Sequence, residues 1–231
     1  MVAPTNKVFL LVGGRMILTR TLDLFERAPI IDSIVLVVAE TDRVACSALV
    51  EEADIRKVTR IVTGGSTRHE SEYRGLLAIE NEIESGHIDC VLIHDAVRPF
   101  VSQVQLRSVT EEARRSGAAI LAIPATERIV KSAPDGTLLE GGDDLWVAQT
   151  PQAFSARLVL DAHRRAAENG FVGTDTSSVV ERMGHPVVVL AGAQENIKIT
   201  TSDDLLRAEL ISSQQMGEPG FVDLGALTPR V

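Results

Sequence analysis

Three features are scarce in this sequence: clustered cysteines, long apolar runs and an excess of positive charge. Cys46 and Cys90 are its two cysteines, and they stand apart from any CxxC or Cys/His cluster, which argues against a disulfide framework and a structural zinc site. The longest apolar stretches, such as "IVLVVA", fall far short of the roughly 20 residues of a membrane span. Residues 1–7 lack the apolar core of a signal peptide. We therefore expect a protein of the reducing cytoplasm.

The deficit of positive charge limits the partners. The formal net charge is -9 and the sequence pI is near 5.1. Nucleic acids and anionic membranes would repel the average surface of such a protein, so we expect neither as a partner.

The hydrophobic residues that are present predict one α/β domain. They make up 45% of 231 residues, enough to fill a single sizeable core. Short β-branched runs alternate with segments of helical period, which is typical of a mainly parallel, twisted sheet with helices on both faces. The predicted strands are "KVFLLV", "SIVLVVA", "TRIVTGG", "CVLIHDA", "AAILAIPA" and "PVVVLAGA".

Two segments depart from this alternation. Residues 126–146 carry a β-like run and the turn signal "APDG", which predicts a β-hairpin arm that projects from the sheet and is suited to a dimer contact. After a helix that we expect to begin near Thr201 and to reach Leu210, residues 212–231 show no periodicity. We therefore assign residues 1–211 to one domain and residues 212–231 to a loosely ordered tail.

Chemistry-bearing residues follow the predicted strands, where open parallel sheets bind their ligands. Asp95 and Arg98 come directly after "CVLI", so a carboxylate and a guanidinium could converge on one crevice, although a simple ion pair that caps the strand is an equally good interpretation. His94 beside them is better explained as a packed, hydrogen-bonded residue than as a catalyst.

Two further segments offer anion-binding groups. In "GGSTRHES" the glycines allow close approach to the backbone, and Ser71 lies near a predicted helix start; a plain turn is the alternative. In "NIKIT", Lys198 and Thr200 share one side of an extended segment and suit a phosphate oxygen, unless this is an edge strand with a solvated lysine.

Taken together and in order, five motifs resemble the 2-C-methyl-D-erythritol 4-phosphate cytidylyltransferase family and its relatives that act on other polyol phosphates or phosphonates. The motifs are "VTGGSTRHES", "LIHDAVRPF", "VAQTPQAF", "GTDTSS" and "ENIKITTSDDL". The resemblance implies a Rossmann-like nucleotidyltransferase domain, a homodimer formed through the arm, and transfer of CMP from CTP to a small anionic acceptor with release of pyrophosphate. It also implies Mg²⁺ bound mainly through the CTP phosphates, with no metal ligand assigned in the protein.

The resemblance assigns roles to individual residues. It implies a catalytic group that consists of Lys198, Asp95 and Arg98, with Lys198 at the α-phosphate. It implies CTP contacts from Gly65, Ser66, Ser71 and Ala96, the last near the ribose. It implies acceptor contacts from Thr150 and Thr200, beside Asp95 and Arg98, and we expect Arg128 of the arm to join them.

The chain departs from the family at its glycine-rich loop. Family members carry that loop, with a phosphate-binding arginine and lysine, after the first strand, whereas here Val12 is followed directly by "GGRMIL". Two explanations compete: a true deletion, which would give a catalytically silent dimeric relative, or a mobile loop that is missing from the residues given. The cramped connection favours the second.

A second departure concerns the acceptor. The arm carries Glu127 and Arg128 where methylerythritol phosphate enzymes show an Asp-Thr pair, and Gly142 where they show an arginine. Moving one cation could favour a different small phosphonate or polyol phosphate, because each charge-assisted contact to a phosphate contributes about 1.5–3 kcal/mol. The alternative is that Arg128 is merely solvated.

Overall fold

The computed structural model describes residues 6–127, 129–139 and 144–217. Within those residues, none of the helices combines the length and the apolar character needed to cross a bilayer.

The described residues form ten strands, eight α-helices and two short 3-10 helices. The strands are β1 (Leu11–Val12), β2 (Arg15–Met16), β3 (Ile34–Val38), β4 (Val58–Thr63), β5 (Cys90–Ile93), β6 (Ala118–Pro124), β7 (Lys131–Ser132), β8 (Leu138–Leu139), β9 (Trp146–Ser155) and β10 (Val188–Ala191). The helices are α1 (Ile17–Glu26), α2 (Arg43–Glu52), α3 (Arg68–Leu77), α4 (Glu80–Glu84), α5 (Gln103–Ser116), α6 (Ala156–Glu168), α7 (Thr176–Arg182) and α8 (Ser202–Gly217). The 3-10 helices span Lys7–Phe9 and Glu40–Asp42.

The sheet confirms the predicted α/β class. Four strands pair in the order β10-β6-β9-β5, and β3 pairs with β4 beside them. The pairs β3/β4 and β6/β10 are parallel, whereas β9 runs antiparallel to both of its neighbours. Two of these four pairings are thus parallel, and β9 is the reversed strand of the four-stranded sheet.

Helices cover both faces of this sheet. On one face, α3, α4, α6 and α7 pack against a core that includes Phe154 of β9. On the other face, α1 and α5 pack against Ala153 of β9 and Leu121 of β6. Successive residues of a strand point to opposite faces, so the neighbours Ala153 and Phe154 anchor the two cores.

The segment predicted as the first strand folds differently, and that prediction is wrong. Lys7–Phe9 is a 3-10 helix, and Leu11–Val12 pairs with Arg15–Met16 in a small separate hairpin. Gly13 and Gly14 close the hairpin with φ of 56° and 74°, the left-handed conformation that its turn requires. Val12 therefore joins Gly13 directly in the two-residue turn of this hairpin.

The ten-residue strand β9 is not among the strands that the sequence predicts, although it contains the motif "VAQTPQAF". It pairs with β5 on one side and with β6 on the other, and its residues 149–154 are buried. Pro151 interrupts the backbone N–H ladder, and the β6/β9 register shifts between Ile120 and Leu121. A proline and two glutamines hide the apolar run that marks a buried strand.

The arm and the chain end are partly described. Strands β7 and β8 pair antiparallel across the turn at Gly136, which confirms a hairpin arm; Arg128 and Gly142 lie outside the described residues. Helix α8 continues to Gly217, with Ile211 and Ser212 buried, so residues 212–217 are helical and the predicted tail boundary is wrong. Residues 218–231 are not described.

A pair of histidines lies in the core between α3 and α6. His163 is completely buried and stacks on His69, with 4.7 Å between ring centroids, and on Tyr73. Neither ring nitrogen of His163 has a hydrogen-bond partner among the described residues. Burial, with a smaller contribution from His69, lowers the pKa of His163 to about 4. The folded protein therefore keeps this ring neutral where the unfolded chain would protonate it.

We predict that acidification destabilises the fold through His163. The depressed pKa means that its contribution is intact above pH 6.5 and is lost as pH falls toward 4. Between pH 7 and pH 5 the loss should be about 2 kcal/mol. His163→Phe keeps the stacking and removes the titrating group. Between pH 7 and pH 5, the unfolding free energy of this variant, measured in urea, should therefore fall by about 2 kcal/mol less than that of the unsubstituted protein. An equal fall in both proteins would contradict the prediction.

Candidate active site

The site is organised around the carboxylate of Asp95, immediately beyond β5. One of its oxygens accepts from Arg68 Nη1 at 2.9 Å, and the other lies 3.2 Å from Arg98 Nε and 3.2 Å from Lys198 Nζ. The three cations come from α3, from the turn after β5 and from the segment before α8. The predicted convergence of Asp95, Arg98 and Lys198 is therefore present in the structure.

The electrostatic balance keeps Asp95 ionised. Burial raises its pKa, but the charges of Arg68, Lys198 and Arg98 outweigh burial, so the net shift is downward. Burial also lowers the pKa of Arg98, and Asp95 opposes that effect. The side chain of Lys198 remains 41% exposed, whereas those of Arg98 and Asp95 are 10% and 13% exposed. An incoming anion can therefore reach Lys198 while Arg98 stays committed to the protein.

Hydrogen bonds from β9 hold Asp95 in place. The Asp95 N–H donates to Thr150 Oγ1 at 3.0 Å, and Thr150 Oγ1 lies 3.2 Å from His94 Nδ1. Arg98 Nη1 donates to the Asn196 carbonyl at 2.7 Å, and the Asn196 side chain donates to the Thr150 carbonyl at 2.9 Å. Thr150 therefore supports the Asp95 backbone, in addition to the substrate role implied by its motif.

His94 belongs to this support. Its Nε2 lies 3.0 Å from the Arg98 carbonyl, which can only accept, so Nε2 carries the proton and Nδ1 accepts from Thr150. Burial lowers the His94 pKa to about 4, which keeps the ring neutral near pH 7. The interpretation of His94 as a packed, hydrogen-bonded residue agrees with these contacts.

The turn before α3 uses its polar groups internally. Gly65 N donates to Ser71 Oγ at 3.0 Å, and both donors of Ser66 reach the Glu70 carboxylate, at 2.7 and 2.9 Å. Helix α3 begins at Arg68 with Thr67 as its N-cap, and the Ser71 N–H is already bonded to the Thr67 carbonyl. The expected free N–H group at Ser71 is therefore not present.

Ala96 and Thr200, two further residues that the motifs assign to the site, contact different groups. The Ala96 carbonyl accepts from Thr21 Oγ1 at 2.8 Å. The N–H and hydroxyl of Thr200 both donate to Asp204 at 2.8 Å, and its carbonyl accepts from Lys7. Thr200 thus makes no described contact with the Asp95 group, although Ile199 N–H donates to the Val97 carbonyl at 3.0 Å and ties the two segments together.

Sequence reasoning missed Arg68 and Lys7. Arg68 lies within the quoted "GGSTRHES", but its role depends on the helix turning it toward Asp95, 27 residues later. It also pairs with Glu72 at 2.7 Å, which makes it the bridge between α3 and the Asp95 group. Lys7 falls in the segment that was read as a strand.

The described residues offer no protein cage for a metal ion. They contain no group of three or more histidine, cysteine, aspartate or glutamate side chains arranged to bind one. Asp95 is bonded to three cations and is a poor metal ligand in this state. A magnesium ion at this rim would have to take most of its ligands from a bound phosphate chain and water.

Comparison with known proteins identifies the family. The 2-C-methyl-D-erythritol 4-phosphate cytidylyltransferase (IspD) family model matches residues 1–214. The chain belongs to this family. Its relatives of that name include proteins from Geobacter metallireducens, 41% identical over 93% of this chain and 92% of the relative, and from Geobacillus thermodenitrificans, 42% identical over 94% and 92%.

Solved structures agree with this cytidylyltransferase family. The 4-diphosphocytidyl-2C-methyl-D-erythritol synthase of Anaerococcus prevotii superposes with a TM-score of 0.78 at 29% identity, covering 88% of each chain. The fold is therefore that of a Rossmann-like nucleotidyltransferase, and the chain is an enzyme of the cytidylyltransferase class. These comparisons give no support to a phosphonate acceptor or to a silent relative.

We predict that Asp95 stabilises the fold as well as the site. Asp95→Asn would leave Arg98 buried with no carboxylate, which should cost about 3 kcal/mol of unfolding free energy. The matched control is Asp89→Asn, which breaks an exposed pair with Arg114 and should cost less than about 1 kcal/mol. Urea unfolding of both variants makes the comparison, and equal losses would contradict a central role for Asp95.

Proposed function

We propose that this protein transfers CMP from CTP to the phosphate of 2-C-methyl-D-erythritol 4-phosphate and releases pyrophosphate. The observation that carries the proposal is the cationic group around Asp95 at the carboxyl rim of the sheet. The names of the relatives at 41–42% identity support this choice of reaction and acceptor.

The reaction suits a site built of positioned cations. An oxygen of the acceptor phosphate attacks the α-phosphorus of CTP, the bond to the β-phosphate oxygen breaks, and pyrophosphate leaves. Two anions must be brought together, and charge develops on the phosphoryl oxygens, so positioning and charge neutralisation supply most of the catalysis. Lys198, the exposed cation of the group, is assigned to the α-phosphate.

Asp95 and Arg98 would act by holding the other charged side chains of the group in place. Asp95 contacts Arg68, Arg98 and Lys198 at once, so it fixes their separation before the substrates arrive. Arg68, which is 35% exposed, is a further candidate for an acceptor or CTP phosphate. When a phosphate approaches, it competes with Asp95 for Lys198 and gains a partner whose orientation is already fixed.

The remaining assignments follow the family motifs. Gly65, Ser66 and Ser71 are proposed at the cytosine. The base would take over hydrogen bonds that the N–H groups of Gly65 and Ser66 now donate to Ser71 and Glu70. Ala96 is proposed at the ribose and Thr150 and Thr200 at the acceptor. Magnesium bound through the CTP phosphates would add charge neutralisation at the triphosphate.

Methylerythritol phosphate is the acceptor that we propose first. The departures that suggested another acceptor, Arg128 and Gly142, lie outside the described residues. Pyrophosphate release from CTP should therefore be measured with methylerythritol phosphate, ribitol phosphate and a small phosphonate in parallel. Pyrophosphate release with only ribitol phosphate or only the phosphonate would make that compound the acceptor in place of methylerythritol phosphate. No release with any of the three would favour a silent relative.

We predict that Lys198→Ala lowers kcat by about 10²-fold or more, because charge stabilisation in the transition state is lost. The measurement is pyrophosphate release with CTP, Mg²⁺ and methylerythritol phosphate, made on the protein purified from its own cells. Arg115→Ala is the matched control, since it removes an exposed arginine of α5 that pairs only with Glu112 among the described residues. An unchanged kcat in Lys198→Ala would remove that residue from the mechanism.

We also propose a homodimer formed through the arm. Large apolar side chains are exposed along it, including Leu138 at 58% and Trp146 at 49%. Exposed apolar side chains that cluster on one projection are typical of a protein interface. A second copy of the chain is the partner that the family resemblance implies.

The double variant Leu138→Lys/Trp146→Lys should therefore shift the protein to monomers in analytical ultracentrifugation, because charges would be buried at the contact. Val104→Lys, which changes a 75% exposed valine on α5, is the control and should leave the association state unchanged. A wild-type protein that sediments as a monomer at all concentrations would reject the dimer.

A further inference from the structure

Glu72 of α3 is nearly buried and bonds to two separate segments of the chain. Its side chain is only 9% exposed. One carboxylate oxygen accepts from Arg68 Nε at 2.7 Å, and the other accepts from the hydroxyl of Thr176 at 2.9 Å. Thr176 is completely buried and begins α7. A buried carboxylate is costly without partners, and here each of its oxygens has one.

The contact with Glu72 fixes the orientation of Arg68. A guanidinium carries five N–H donors in one plane. The bond from Arg68 Nη1 to Asp95 at 2.9 Å is a single contact, about which the group could turn. The bond from Nε to Glu72 uses a different nitrogen and removes that freedom. The plane of the guanidinium is therefore set by two carboxylates, one on its own helix and one beyond β5.

This arrangement leaves one end of the guanidinium available. Arg68 Nη2 makes no hydrogen bond to a described residue, and the side chain is 35% exposed. Burial lowers the pKa of Arg68, but the charges of Asp95 and Glu72 outweigh burial, so the net shift is upward. The group is thus always charged, and its two remaining Nη2 hydrogens suit an oxyanion.

Glu72 also closes a ring of polar residues that begins and ends on β9. Each member is hydrogen-bonded to the next or follows it in the chain. The members are Gln152, Asp175, Thr176, Glu72, Arg68, Asp95 and Thr150. Gln152 and Thr150 are buried residues of one strand, so both ends of the ring rest on the same rigid element. Without Glu72 the ring is broken, and Arg68 depends on Asp95 alone.

We propose that Glu72 is a positioning residue for the transfer reaction: it holds the Arg68 guanidinium in the plane in which Nη2 receives a phosphate of the bound substrates. This inference rests on the proposed function, in which Arg68 is a candidate for such a phosphate. A cation that is oriented before binding loses little freedom when the phosphate arrives, so its contact is stronger than that of a free arginine. Glu72 itself touches no substrate.

The first test observes the orientation of Arg68 without turnover. Glu72→Met keeps the length of the side chain and removes both acceptors, whereas Glu72→Gln keeps an acceptor for Arg68 Nε. NMR of protein with isotope-labelled arginine measures exchange of the Arg68 Nε–H with water, and the signal is assigned by its loss in Arg68→Lys. Exchange should be about tenfold faster in Glu72→Met, because a hydrogen bond between charged groups is lost, and nearly unchanged in Glu72→Gln. Equal exchange in Glu72→Met and the unsubstituted protein would overturn the proposal.

The second test asks whether Glu72 acts through Arg68. In pyrophosphate release with CTP, Mg²⁺ and methylerythritol phosphate, Glu72→Met should lower kcat/KM by about tenfold or more, and Glu72→Gln should recover most of that loss. In an Arg68→Ala background, Glu72→Met should have almost no further effect, because the group that it positions is already gone.

Two kinetic results would contradict this role. Losses that multiply in the double variant would mean that Glu72 acts independently of Arg68. A Glu72→Gln variant as slow as Glu72→Met would mean that Glu72 contributes its charge and not the position of Arg68. No pyrophosphate release by the unsubstituted protein with any acceptor would instead reject the proposed function, and the exchange of the Arg68 Nε–H would then decide alone whether Glu72 orients that side chain.

Glu112→Met is the matched control. Glu112 of α5 pairs with Arg115 at 2.7 Å, and its side chain is 15% exposed, so its burial is close to that of Glu72. This variant should leave both the exchange and kcat/KM unchanged. Should Glu72→Met fail to fold, as measured in urea, Thr176→Val replaces it, because it removes the other bond of Glu72. Thr176→Val should change both quantities in the same direction by a smaller factor, and no change in either would refute the proposal.

Discussion

The carboxylate of Asp95 is the constraint on which the site depends. Arg68, Arg98 and Lys198 come from three segments that are far apart in the chain, and their like charges would drive them apart without a shared anion. Its position is fixed in turn by Thr150 of β9 and by the neutral ring of His94. Buried hydrogen bonds thus set the geometry of charges that face solvent, and an anionic substrate meets cations that are already ordered.

Local sequence signals predicted the parts of this arrangement that are close in the chain. Asp95 and Arg98 follow a recognisable apolar strand and are three residues apart, so their convergence could be inferred from spacing. Lys198 could be placed near the same edge of the sheet because it follows the last predicted strand, but only the family resemblance put it in one catalytic group with Asp95. Arg68 escaped notice because its contact depends on the direction in which α3 leaves its N-cap at Thr67.

The errors in the predicted fold have physical causes. The run "KVFLLV" has the composition of a buried strand, but the Gly13-Gly14 turn folds its second half into a hairpin and leaves Lys7–Phe9 as a 3-10 helix. Strand β9 carries Pro151 and polar glutamines whose amides bond across the core, as Gln152 does to Asp175 at 2.7 Å. Burial of satisfied polar groups leaves no trace in a hydrophobic pattern.

Strand β9 also has a mechanical consequence. It begins at Trp146 in the arm, carries Thr150 at the rim, and ends between β5 and β6 with Phe154 locked in the core. A one-residue slip of a paired strand would turn every side chain to the opposite face, so the buried residues of β9 hold the strand in its register. The arm and the threonine beside Asp95 therefore lie on one strand, so the buried residues that fix β9 between β5 and β6 also fix where the arm leaves the sheet.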